Sequence, residues 1–114
     1  MKQLSDIHLT PNQSQALDEL RRRLHAEFEI EAIILYGSVA RGEADEESDQ
    51  DLLIVTRNPI SRPERDRITD AVFEVNLRRD TNFSTLVVDR KSWESGLFSI
   101  LAIHDEILKD GVLL

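Results

Sequence analysis

Two short clusters in this sequence combine residue types that can handle a charged ligand. The first is Gly37-Ser38-Val39-Ala40-Arg41-Gly42, preceded by Leu35-Tyr36; the second, five residues further on, is Ser48-Asp49-Gln50-Asp51-Leu52. A strand that ends in Gly-Ser and turns into a short helix exposes backbone N–H groups and a hydroxyl at a positive helix end, a ready site for phosphate oxygens. Glycine lets such a ligand approach the backbone closely. Asp49 and Asp51 stand two apart on an expected strand, so their carboxylates project from one face and can share a hard divalent cation. Magnesium keeps several waters and takes one or two protein carboxylates plus substrate phosphates, so this sparse set suffices for at least one ion. Together the parts would hold a metal-bound triphosphate and make chemistry at its α-phosphate possible. The plainer reading, acids at a strand entrance and an ordinary turn, leaves two carboxylates aimed into one partly enclosed place, which is costly without a cation.

The elements that must position these residues are legible from periodicity and punctuation. Thr10-Pro11-Asn12-Gln13 reads as a capping box with proline at the first helical position, and Leu17, Leu20, Leu24 and Phe28 carry the apolar stripe of a helix ending near Phe28. Ala32 to Tyr36 is a short continuous apolar run, expected as an interior strand covered on both faces and stopping at Gly37. The segment from Ser38 to Arg41 is expected to form one helical turn, followed by an acidic loop over Glu43 to Glu47. Asp51 to Thr56 is a second buried strand, closed by Asn58-Pro59. Ser61-Arg62-Pro63-Glu64 opens a second helix whose apolar face is Ile68, Val72, Val75 and Leu77, running to about Arg79. Phe83 to Val88 is a third strand. Trp93, Leu97, Ile100, Leu101 and Ile103 have helical spacing, read as one packed stripe, with Gly111 as the helix stop and residues 112–114 left unassigned.

Composition bounds what this machinery can serve. With 114 residues the chain is one small module, read as a single domain over 1–114 without internal repeat or linker. Apolar residues at 40% and charged residues at 32% permit a core under a charged surface, against both disorder and membrane spanning. Fourteen Lys and Arg against twenty-two Asp and Glu give a net charge of −8, which disfavours nucleic acid and anionic lipid and suits a basic partner. The absence of cysteine removes disulfides and thiolate metal sites. The N-terminus MKQLSDIHLT lacks an apolar signal core, so a cytoplasmic location is expected. His8, His25 and His104 share no ligand spacing and read as structural or surface residues; Arg21-Arg22-Arg23 reads as a solvated helix face.

GSVARG followed by SDQDL resembles the signature of the DNA polymerase beta-like nucleotidyltransferase superfamily, whose common form is GSxARG, a spacer, then SDxDL. The small size is similar to the minimal nucleotidyltransferases, the antitoxin halves of HEPN–MNT toxin–antitoxin pairs. This resemblance covers residues from about Ala32 to Leu114, with motif specificity only from Gly37 to Leu52. It implies an α/β (α+β) fold, a small mixed β-sheet with helices packed against it. It also implies transfer of AMP from ATP, with Mg2+, onto a hydroxyl, in the antitoxin branch a tyrosine of the partner HEPN ribonuclease toxin. By position, Gly37 and Ser38 would bind the β and γ phosphates, Asp49 and Asp51 the metal, and Arg41 would steady the loop or meet phosphate.

The superfamily also implies a third carboxylate on the next strand, and the best positional match here is Ser84 in Asn82-Phe83-Ser84-Thr85. Asp80 lies before the strand, Asp89 at its far end has the opposite parity, and Glu74 precedes both. The rival to a protein adenylyltransferase is therefore a catalytically degenerate binding module that acts by complex formation. Transfer to a small molecule such as an aminoglycoside is disfavoured because little chain is left for an acceptor pocket, and polymerase activity because no basic template-binding domain is present.

Overall fold

The computed structural model describes residues 1–37 and 50–114. The expected helical turn at 38–41 and the acidic loop lie outside the described residues. Helix α1 (Pro11–Glu27) starts as its sequence predicts: Thr10 and Gln13 exchange both capping-box hydrogen bonds, and Pro11 occupies the first turn. Strand β1 (Ile30–Tyr36) begins two residues earlier than its apolar run, and β2 (Gln50–Thr56) one residue earlier. Helix α2 (Arg62–Arg79) is capped by Ser61, whose hydroxyl accepts from the Glu64 N–H. Strand β3 (Phe83–Asp89) follows, and then α3 (Arg90–Glu94), a 3-10 turn over Leu97–Ile100, α4 (Ala102–Asp110) and β4 (Val112–Leu113).

The four strands form one mixed sheet in the order β3-β2-β1-β4. The pairs β1–β2 and β1–β4 are antiparallel, whereas β2 and β3 run parallel because α2 carries the chain back between them. Alternation along the strands divides the core. Leu20 and Leu24 of α1 and Ile68, Val72 and Val75 of α2 cover Ile33, Leu35, Leu52, Ile54 and Val87 on one face. Trp93 and Ile107 cover Ile34, Leu53, Val55 and Val88 on the other. The central strands are thus buried on both faces, which is why β1 and β2 read as continuous apolar runs.

Three expectations are corrected. Leu77 is 70% exposed: it sits two positions after Val75, on the far side of a helix whose buried residues are Ile68, Ala71, Val72 and Val75. The stripe from Trp93 to Ile103 is not one helix; the chain breaks at Ser95-Gly96 and again at Leu101, so Trp93 is buried while Leu97, Ile100 and Leu101 are exposed. Of the arginine cluster, Arg21 and Arg22 bond Asp18 at the surface, whereas Arg23 pairs at 2.7 Å with Glu74 and ties α1 to α2.

Candidate active site

The end of β1 and the start of β2 lie side by side, because antiparallel pairing sets Tyr36 opposite Asp51. The parallel register then sets Asp51 beside Ser84 of β3. All three side chains have the parity of the sheet face covered by Trp93 and Ile107. Ser84 Oγ donates to Asp51 Oδ1 at 3.0 Å. The other carboxylate oxygen, Oδ2, lies where a Cβ on Gly37 would have to go. Gly37 has φ +83°, so a side chain there is excluded both by backbone conformation and by the Asp51 carboxylate. Gly37 and Asp51 are brought together as the sequence predicts; Ser38, Arg41 and Asp49 lie outside the described residues.

Asp51 presents hard carboxylate oxygens, a donor chemistry that fits a divalent cation. Among the described residues, no three His, Asp or Glu side chains gather into a metal-binding group. Of the acids considered as replacements for a third carboxylate, Glu74 and Asp89 are engaged elsewhere and Asp80 stands at a helix end. Glu74 holds Arg23 between α1 and α2. Asp80 is the left-handed C-cap of α2, at φ 54° and ψ 51°. Asp89 caps α3 by accepting from the Ser92 N–H at 3.0 Å and the Ser92 hydroxyl at 2.7 Å, and these bonds hold its carboxyl below the usual carboxylate range.

Two residues of the site escape a motif search. Tyr36 is half-buried beside Asp51; burial, and then the negative charge of Asp51, push its phenol above the ordinary value. Asn76, in the last turns of α2, grips both backbone groups of Phe83: its Nδ2 donates to Phe83 O at 2.9 Å and its Oδ1 accepts from Phe83 N at 3.0 Å. Thr81 Oγ1 donates to the same Oδ1 at 3.0 Å. The clamp fixes where β3 begins and so sets Ser84 against Asp51. An asparagine just before a helix end and a turn was the available signal. On the opposite face, Gln50 is 2% exposed at a cleft of about 700 Å³ that Thr10, Gln13, Asp80 and Thr81 help line.

A mixed sheet that sets a glycine turn against a strand-borne carboxylate is the core of a nucleotidyltransferase. A profile of the nucleotidyltransferase domain matches residues 17–109, and the chain belongs to that family. Members of this family generally use a divalent metal with a nucleoside triphosphate. The chain is 39% identical over 77 residues to a candidate protein adenylyltransferase of Methanocaldococcus jannaschii, a match covering 64% of this chain and 52% of that protein. A second candidate adenylyltransferase of the same organism is 34% identical over 58 residues, covering 51% of this chain and 59% of that one. The chain thus spans just over half the length of these curated relatives. Among solved structures, a candidate minimal nucleotidyltransferase superposes with a TM-score of 0.63 at 24% identity, covering 94% of this chain and 98% of its own. A toxin–antitoxin structure with AMP-PNP superposes with a TM-score of 0.58 at 15% identity, covering 91% and 72%. These two likenesses establish the fold. No described helix is long and apolar enough to cross a membrane.

Proposed function

We propose that this chain is a minimal nucleotidyltransferase that transfers AMP from ATP, with Mg2+, to a hydroxyl of a partner protein, as the antitoxin that silences a HEPN-type ribonuclease toxin. The observation that carries the reading is the convergence of Gly37 and Asp51 at one end of the sheet. The names of the curated relatives support a protein acceptor, and a toxin–antitoxin pair among the structural neighbours supports the kind of partner.

In this reading Gly37 and Ser38 receive the β and γ phosphates, Arg41 meets phosphate or steadies the loop, and Asp49 and Asp51 hold the cation. The acceptor oxygen bonds to the α-phosphorus as the bond to the β-phosphate oxygen breaks, so pyrophosphate leaves and the hydroxyl proton is released. The bound cation supplies charge neutralisation on the phosphates. This chain orients the triphosphate through the glycine turn and keeps one carboxylate fixed, so little reorganisation is needed at the moment of transfer.

Ser84 beside Asp51 favours a second reading, a nucleotide-binding module that acts by contact alone. Intact-mass spectrometry of the co-purifying partner separates the two. A nucleotide-sized increase on the partner, lost in the double variant Asp49→Asn, Asp51→Asn, is the expected outcome; a stable complex without adduct overturns transfer in favour of the binding module.

A further inference from the structure

Gln50 stands next to Asp51 in β2, and alternation turns its side chain to the other face of the sheet, the face of Leu52 and Ile54. There it lines the cleft of about 700 Å³ between the start of α1 and the end of α2. The side chain is 2% exposed, and its Oε1 is buried without a hydrogen-bond partner among the described residues. Folded proteins seldom leave a buried amide oxygen unpaired, because it has lost its bonds to water without replacement. A ligand that brings an N–H to that oxygen supplies the missing bond.

The walls of the cleft decide the charge of such a ligand. The α1 wall is a helix N-terminus, ordinarily a place for an anion, yet most of its donors are spent. Pro11 has no N–H, and the Gln13 N–H donates to Thr10 Oγ1 at 3.2 Å, which leaves Asn12 as the remaining donor of the first turn. No Lys, Arg or His is among the described residues that line the cleft, so a bound anion would meet no countercharge. The α2 wall ends in Asp80, an exposed carboxylate carried on the left-handed C-cap. A buried acceptor and an anionic acceptor at the rim suit a cation that carries N–H groups.

We propose that this cleft binds an organic cation through an ammonium or guanidinium group, with Gln50 Oε1 accepting on its buried side and the Asp80 carboxylate at its rim. The site lies on the sheet face opposite Asp51 and does not depend on the nucleotide reading. Its size falls within the range of small-molecule sites. A free polyamine and a basic side chain of a protein partner carry the same chemistry, and the chain's net charge of −8 favours either.

The test is a titration of the 15N-labelled chain with agmatine, which carries one guanidinium and one ammonium group, at constant ionic strength. The side-chain amide signals of Gln50 should shift and saturate, and the backbone signal of Asp80 should move with them. Gln50→Leu should weaken binding about ten-fold, the worth of a hydrogen bond between a buried acceptor and a charged donor. Asp80→Asn should weaken it about three-fold, the worth of an exposed ion pair. Asparagine tolerates left-handed backbone, so this second variant carries the test if Gln50→Leu fails to fold. Shifts that never saturate and scatter over the acidic surface, or unchanged affinity in a folded variant, overturn the proposal. So does inorganic phosphate saturating the cleft in place of agmatine. Repeating the titration on the complex with the co-purifying partner separates the two sources: release of the partner by agmatine assigns the group to a partner side chain, and binding with the partner retained assigns it to a free amine. Failure of agmatine to bind leaves the site at Gly37 and Asp51 standing, because that site is read by nucleotide-dependent stabilisation.

Discussion

Ser84 Oγ lies 3.0 Å from Asp51 Oδ1 across the parallel register of β2 and β3, while Asp51 Oδ2 rests against Gly37 at the end of β1. One carboxylate is therefore addressed by three strands, and its position depends on sheet register rather than on a flexible loop. A one-residue slip of β3 would turn Ser84 to the opposite face and place Phe83 or Thr85 beside Asp51.

Replacing Gly37 tests this convergence. In Gly37→Ala the new Cβ meets both the φ of +83° and the Asp51 carboxylate, so the turn must open or the carboxylate must move. Left-handed backbone costs an L-residue roughly 1–2 kcal/mol, and chemical denaturation should report a loss of that order. The cation-dependent stabilisation by ATP should vanish as well. A variant with unchanged stability and unchanged nucleotide response would show that Gly37 does not control access to Asp51.

Tyr36 reports on the charge of Asp51 from within the site. It is the chain's single tyrosine, so an ultraviolet titration of phenolate reads it alone. Burial first, and the Asp51 charge second, raise its pKa above 10.0. Asp51→Asn removes only the second cause, so the titration should move down part of the way and remain above the ordinary value. No movement would mean that the two side chains are not electrostatically coupled.

Much of this is legible in the sequence. Thr10 and Gln13, Ser61, and the apolar runs of β1 and β2 mark their elements because capping chemistry and two-sided burial leave direct traces in sequence. Gly37 and Asp51 stand out in the sequence because a glycine turn and a strand-borne acid are local signals. Ser84, picked out only by resemblance, acquires its contact with Asp51 from a parallel crossover that is invisible in local spacing. The breaks at Gly96 and Leu101 were missed because helical spacing persists across them. Strand β4 was missed because two residues carry no period; it exists because Val112 and Leu113 find the free edge of β1.

Asn76 and Leu77 are adjacent on α2 and should behave oppositely. Asn76→Ala leaves the N–H and C=O of Phe83 without their side-chain partner at the point where β3 begins. An unsatisfied buried backbone group costs about 1–3 kcal/mol, and the loss should appear in denaturant unfolding together with weaker nucleotide-dependent stabilisation. Leu77→Ser, at a side chain 70% exposed, should stay within about 0.5 kcal/mol of the native chain. Equal effects at the two positions would remove the role assigned to the asparagine clamp.

The cap of α3 gives a pH signature. Asp89 accepts from the hydroxyl and the N–H of Ser92, which hold its folded pKa below the ordinary 3.8. A carboxyl with a depressed folded pKa contributes stability that is fully present above its unfolded value and lost as pH falls through the folded one. Asp89→Ala should therefore cost about 1 kcal/mol near neutral pH, the usual worth of an N-cap. Urea unfolding of both proteins along a pH series should show that difference constant from neutrality to about pH 5 and shrinking below 3.8, where the native carboxylate takes up its proton. A difference that grows on acidification would mean that Asp89 is destabilised by its surroundings, and the cap would have to be assigned to another residue.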